Sequence, residues 1–306
     1  MSTGKGRILA SISMTVAALF ALVALAGCSQ LTINTNSSVE KNLEPVLKEG
    51  STISNGVLTV GINGTNSPYG GTSQSTGATI GLDVDIAAAL AQEMGMQLQI
   101  VDVGSNGKSA LSTGQVDIAL GVMKSGSADT VTYSNAYIND GSSLFTLKDN
   151  QEGAEAAAKK LGSSDDKVLV QGKTATALEV QEAIGVDNVV GHETLKDAFD
   201  ALEKGDAKFL VADAVAGDYL ATNYSDIVRV NYLSSEAVRP MYAVTLTENV
   251  EVTQAVGKAF DAITANGVLR IVTDKWLGTQ GENLLPGKVD ISKIPSMFKE
   301  KTKDDK

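Results

Sequence analysis

The stretch from Gly56 to Met94 most narrows what this chain can fold into. It begins Gly56-Val57-Leu58-Thr59-Val60-Gly61-Ile62 and passes through a polar, glycine-containing loop with Pro68-Tyr69. It then runs from Gly81-Leu82-Asp83-Val84-Asp85-Ile86 into Ala87-Ala88-Ala89-Leu90-Ala91-Gln92-Glu93-Met94. A short β-branched run, a Gly/Ser/Thr loop and an Ala/Leu segment opened by an Asp read as strand, open loop and helix. That order starts a βαβ unit. The loop after such a strand lies at the carboxyl edge of a parallel sheet, where it can form one wall of a ligand cleft.

The alternation continues along the chain. Strands are predicted at 96–101, 116–121, 167–170, 188–190, 209–212, 227–230 and 241–246, with an extended segment at 141–147. Helices are predicted at 109–113, 152–161, 174–184, 194–203, 213–222, 250–265 and 268–276. With 306 residues, 43% of them apolar, there is material for two α/β bodies with real cores. Alternation alone allows two domains joined once as well as two joined twice. The 25 Lys and Arg residues against 36 Asp and Glu give a net charge of −11, which argues against a nucleic-acid partner held through phosphates.

The amino terminus carries Lys5 and Arg7, an apolar run from Ile8 to Ala26, and the ending Leu25-Ala26-Gly27-Cys28. A basic start, a short apolar segment and small residues at its end make an export signal rather than a permanent span. Cys28 is the only cysteine, so the fold contains no disulfide and no thiolate metal site. The ending resembles the bacterial lipobox, which implies acylation of Cys28 and anchoring to the extracytoplasmic face of a membrane. Residues 1–27 are then a signal peptide. Residues 28–50, rich in Ser, Thr, Asn and charge, read as a flexible spacer.

Gly61, Pro68-Tyr69, Gly81-Leu82-Asp83-Val84-Asp85 and Ser112-Thr113-Gly114-Gln115-Val116-Asp117-Ile118, in this order and spacing, resemble the signature of the bacterial extracellular solute-binding proteins, family 3. That family serves polar amino-acid ABC transporters. The resemblance implies a type II periplasmic-binding-protein fold: two doubly wound α/β lobes joined by a hinge that the chain crosses twice, near Phe145 and Tyr242. Lobe 1 would be 51–145 with 243–278, lobe 2 would be 146–242, and 279–306 would be a tail along the surface or disordered. The implied function is binding rather than catalysis, with a small amino-acid-like ligand, an ABC permease as partner and no cofactor.

The resemblance also nominates site residues. Asp213, opening a helix after the apolar strand Phe209–Ala212, would accept hydrogen bonds from a ligand ammonium; its simpler role is to cap that helix. Tyr69 would pack against the ligand's side chain. The turn Gln171-Gly172-Lys173-Thr174 would offer backbone donors and the Thr174 hydroxyl to a carboxylate, or Thr174 would merely cap. The family's carboxylate-binding Arg is missing from Gly121-Val122-Met123-Lys124-Ser125-Gly126-Ser127-Ala128-Asp129-Thr130, which is also about two residues short on the family's spacing. Lys124, beside Ser125, or Lys173 would then supply the positive charge, as a less directional donor.

Other chemistry finds little support. Gly172-Lys173-Thr174 lacks the glycine five residues upstream that a phosphate loop requires, since Lys167 stands there. His192, the single histidine, sits in a polar turn, and no spacing suggests a zinc site. Asp83 and Asp85 at a helix start are explained by capping and the helix dipole. An exported enzyme on the same scaffold, for example a dehydratase, and a ligand-sensing or adhesive surface module remain as alternatives.

Overall fold

The computed structural model describes residues 44–125, 130–161 and 166–297. Cys28, the export signal, most of the spacer and the last nine residues of the tail fall outside the described residues. The chain forms β1 (Val57–Ile62), a short hairpin of β2 (Gly71–Thr72) and β3 (Thr79–Ile80), α1 (Leu82–Glu93), β4 (Gln97–Asp102), α2 (Gly107–Ser112), β5 (Ile118–Met123) and β6 (Val131–Tyr133). It continues with β7 (Ile138–Leu147), α3 (Ala154–Ala158), β8 (Val168–Gln171), α4 (Ala175–Ile184), β9 (Val189–His192), α5 (Leu195–Lys204) and β10 (Phe209–Asp213). It closes with α6 (Ala214–Ala221), β11 (Ile227–Tyr232), β12 (Val238–Leu246), α7 (Val250–Ala265) and α8 (Val268–Leu277).

These elements make two α/β lobes. In the first, β4, β1 and β5 run parallel, β12 lies antiparallel on β5, and β6 pairs with β12. In the second, β9, β8 and β10 run parallel, and β7 lies antiparallel between β10 and β11. The amino-terminal ends of β7 and β12 pair with each other, Ile138 with Met241 through Gly141 with Val238. These two strands are the double crossing. Its end at Met241 adjoins the expected Tyr242, whereas Phe145 lies beyond the β7 end of the crossing and already pairs with Leu210 in the second lobe.

Each lobe is built by ordinary amphipathic logic. In α1, Leu82, Ile86 and Leu90 recur every four residues and pack under Leu58, Val60 and Ile62 of β1, all wholly buried. In the second lobe the strand period of two splits the apolar residues between both faces of the sheet. Val168, Val170, Phe209 and Val211 meet Ala177 and Val180 of α4 on one face, and Leu169 and Leu210 meet Phe199 and Leu202 of α5 on the other. Burial of each such Val or Leu side chain contributes about 1.5–3 kcal/mol.

Three segments differ from the sequence reading. The helix expected at 152–161 contracts to Ala154–Ala158, because Gly153 at φ 78° lies in the left-handed region and starts it late. The last residues of the expected spacer are docked: Val46 N donates to Met94 O at 3.0 Å, and Lys48 and Ser51 both bond Glu251 of α7. The tail is not merely superficial as far as Met297. Leu284 and Leu285 enter the first lobe's core, whereas Met297, wholly buried, enters the second's.

Candidate functional site

A cleft of about 520 Å³ opens at the carboxyl ends of β1, β4 and β5. Asn63, Asn66 and Tyr69 from the loop after β1, residues 104–109 leading into α2, and Gly121–Met123 with Ser125 form its walls, Asp83 lines it too, and Met241 of β12 contributes from the hinge. This is the edge of a parallel sheet at which loops converge on ligands. Another cavity, of about 410 Å³, lies between Val46–Lys48, the end of α1 and α7, away from those strand ends.

Carboxylates set the shape of the cleft. Asp102, ending β4, accepts from Gly64 N at 2.9 Å and Gly104 N at 3.0 Å, so one side chain holds two of the cleft's loops, and these bonds lower its pKa. Asp117, opening β5, accepts from Ile53 N and Thr59 N, each at 2.8 Å, and so fixes β1 against β5. The loop carrying Pro68-Tyr69 is tied to α1 through its own carbonyls, since Leu82 N donates to Pro68 O and Asp83 N to Tyr69 O. Gly81, before the helix, is required for this closeness: an added Cβ would stand 2.1 Å from Tyr69 O.

Asp83 and Asp85 make no side-chain cap on α1, contrary to the expectation, and bond other elements instead. Asp85 accepts from Lys275 Nζ at 2.5 Å and Trp276 Nε1 at 2.7 Å, joining α1 to α8. Asp83 is buried and accepts from Tyr137 Oη at 2.6 Å, while Tyr137 Oη accepts from Gly121 N. Burial raises the Asp83 pKa to about 7 against the lowering effect of the Tyr137 bond. Gly121, at φ 70°, has room for no side chain here, since a Cβ would lie 2.9 Å from Asp83 Oδ2.

The residues nominated from sequence divide into two groups. Tyr69 and Ser125 line the cleft. Tyr69 is only 4% exposed, and its hydroxyl donates inward to Asp140 Oδ2 at 2.9 Å rather than out toward a ligand. Ser125 Oγ accepts from Lys108 Nζ at 3.2 Å. Lys124 lies beside the cleft with its Nζ 4.5 Å from the Tyr242 ring centroid and 5.6 Å from that of Tyr133. Asp213, Lys173 and Thr174 stand on the second lobe, outside the cleft's lining. Thr174 Oγ1 donates to Gln171 O and accepts from Ala177 N, which is helix capping of α4. Lys173 alone among the described non-glycine residues has a positive φ, 62°, in the turn before that helix. His192 ends strand β9 rather than occupying a free turn.

Asp213 does not cap α6 with its side chain. That duty falls to Asp140 of β7, whose Oδ1 accepts from Val215 N at 3.0 Å as well as from Gly141 N at 2.7 Å. Burial raises the Asp140 pKa, with repulsion from Asp213 adding to it and its three hydrogen bonds opposing. Relieved of capping, Asp213 Oδ1 takes a 2.8 Å bond from Thr176 Oγ1 and an ion pair from Arg239 Nη2. Arg239 was missed in the sequence because Val238-Arg239-Pro240 reads as loop. It belongs to β12, two residues before Met241 and opposite Asp140, so it shares a strand face with the cleft-lining Met241 while standing outside the lining itself.

The sequence model of the bacterial extracellular solute-binding proteins, family 3, matches residues 58–279. The chain belongs to that family. Its relatives include the glutamine-binding protein of Geobacillus stearothermophilus, 28% identical over 66% of this chain and 79% of the relative. The L-cystine-binding protein TcyA of Bacillus subtilis (strain 168) is 24% identical over 85% of this chain and 96% of the relative. Among solved structures, an ancestral cationic amino acid solute-binding protein superposes with a TM-score of 0.61 at 25% identity, over 72% of this chain and 96% of its own. The fold is accordingly that of the type II periplasmic binding proteins, and the family's role is solute binding outside the cytoplasm. Among the described residues no helix is long and apolar enough to cross a membrane, and no cluster of three or more His, Cys, Asp or Glu residues could hold a metal.

Proposed function

We propose that this family 3 protein is the lipid-anchored receptor of an ABC importer, closing its lobes on a small amino-acid-like ligand without turning it over. The observation that carries the reading is the position of the 520 Å³ cleft, at the carboxyl edge of the first lobe and backed by Met241 of the hinge. Its volume suits a small ligand, and its polar walls can fix the ligand's orientation. A ligand that touches both lobes only when they close shifts the open–closed equilibrium by the free energy of those extra contacts. The glutamine- and cystine-binding relatives support an amino-acid ligand. Tyr69, Ser125 and Lys124 would meet it from the first lobe, and Lys173, Thr174 and Asp213 from the second. The lipobox-like ending at Cys28 supports the anchor.

Titration calorimetry of the purified protein against free amino acids and short peptides, paired with small-angle scattering, tests the binding claim. A binder that also reduces the radius of gyration is the expected result; no binder and no compaction would remove it. Labelling with a radioactive fatty acid, present in the parent protein and lost in Cys28→Ala, tests the anchor. Co-purification with transmembrane permease subunits after crosslinking, rather than with a signalling partner, tests the transport role.

A further inference from the structure

Two Arg–Asp pairs of opposite character stand in the second lobe and at its border with the hinge. Arg229 and Asp218 are 7% and 0% exposed in their side chains, and Arg229 Nε reaches Asp218 Oδ1 and Oδ2 at 3.0 and 3.1 Å. That pair is enclosed, with both Asp218 oxygens on Arg229 Nε, and acts as a structural clamp. Arg239 and Asp213 are 33% and 42% exposed and meet through a single contact, Nη2 to Oδ1. Among the described residues Arg239 uses one of its five N–H donors and Asp213 Oδ2 has no hydrogen-bond partner, Asp140 having taken over the cap of α6. An open pair of this kind adds little to stability, so the fold does not explain its presence.

From these observations we infer that Arg239 is the residue that binds the ligand's carboxylate, working beside Asp213 as the acceptor for its ammonium group. The inference rests on the amino-acid-binding reading above and makes it more specific: the ligand carries an unmodified ammonium and carboxylate close together. Arg239 stands two residues before the cleft-lining Met241 on β12, at the border of the cleft rather than in its lining, and its neighbour across the hinge, Asp140, bonds the cleft's Tyr69. A guanidinium presents a planar fork that matches a carboxylate in two parallel bonds, which an ammonium cannot do. The lysines of the other wall are differently engaged, Lys108 on Ser125 and Lys124 over the Tyr242 ring. Because Arg239 stands on a strand shared by both lobes, its bond to a ligand couples binding to the hinge itself.

The test is calorimetry with free L-amino acids and, for each one that binds, its carboxamide and N-acetyl derivative. The parent protein is expected to prefer the free acid over the carboxamide by about 100-fold, the scale for removing one partner of a desolvated charge pair. Arg239→Gln should bring that ratio to within about 3-fold while leaving carboxamide affinity nearly unchanged, and Arg239→Lys should fall between. Asp213→Asn should keep the acid-to-carboxamide ratio and lose discrimination against the N-acetyl form. Unchanged thermal midpoints of the ligand-free variants would tie these losses to contact rather than to misfolding. An Arg239→Gln protein that keeps the parent ratio overturns the assignment while leaving the amino-acid reading intact. A parent protein that binds nothing in the panel removes both.

Discussion

Tyr69 Oη donates to Asp140 Oδ2 at 2.9 Å, joining the loop that walls the cleft to the strand that crosses between the lobes. The other oxygen of Asp140 accepts from Val215 N in the first turn of α6. One buried carboxylate therefore ties together a first-lobe loop, the hinge and a second-lobe helix. α6 in turn packs on α8 of the first lobe, with the rings of Tyr219 and Trp276 6.3 Å apart. Lobe movement must proceed with these contacts kept or remade.

Tyr69→Phe deletes only the hydroxyl and leaves Asp140 Oδ2 without its partner in a buried place. Loss of about 1–3 kcal/mol in unfolding free energy is expected from urea titration. The ring would stay in its packing site, so the far-ultraviolet circular dichroism should not change. A stability equal to that of the parent protein would mean that water or another donor replaces the hydroxyl.

Asp140 and Asp213 should respond in opposite ways. Asp140→Ala removes the cap of α6 and the acceptor for Tyr69 together, and a loss of about 2 kcal/mol or more is expected. Asp213→Ala removes an exposed ion pair and one hydroxyl partner, and should stay within about 1 kcal/mol of the parent. Denaturation curves for the two variants side by side decide it; equal losses would show that Asp213 carries a structural duty after all.

The sequence made the parallel strands and their helices legible because each obeys one period: Leu58, Val60 and Ile62 alternate, and Leu82, Ile86 and Leu90 recur at four. The hinge was not legible for a physical reason. Asn139 and Asp140 are buried polar residues of β7, and Asp140 is satisfied by Tyr69 and Val215 far away in sequence, so the expected extended segment began only at Gly141. Pro240 hid the start of β12 in the same way, and with it Arg239. The motif Gly81–Asp85 was visible, and the coordinates add that it holds the cleft's loop through Leu82 N and Asp83 N while Asp83 also lines the cleft. Asp213 was identified from its place after β10, but only coordinates reveal that a different residue caps the helix it precedes.

Met297 lies wholly buried in the second lobe's core, and its N–H donates to Leu233 O at 2.7 Å. Leu284 and Leu285 meanwhile sit in the first lobe's core, so residues 285–297 strap the lobes together beyond the two hinge strands. Met297→Ala should cost about 2–5 kcal/mol if the site cannot collapse. Thermal denaturation should show the drop in the full-length chain, and a chain ended after Pro286 should show at least as large a one. A truncated chain as stable as the parent would reduce the strap to a passive contact.

Asp83 makes stability depend on pH in a stated direction. Its folded pKa is raised to about 7, whereas an unfolded aspartate titrates near 4, at roughly 3.9. Between those values the unfolded chain has released a proton that the folded chain keeps, so folding binds a proton. Stability contributed by this group is therefore full below about pH 4 and declines as pH rises toward 7, at up to about 1.4 kcal/mol per unit. Asp218, raised by burial to about 6, and Asp140, also raised by burial, act in the same direction, so the parent profile mixes all three groups. Asp83→Asn isolates one of them: its Oδ1 can still accept from Tyr137, but it has no charge to acquire. Melting temperatures of the two proteins should nearly coincide at pH 4.5 and separate in favour of the variant at pH 8. A constant gap across that range would show that Asp83 does not change its protonation on folding.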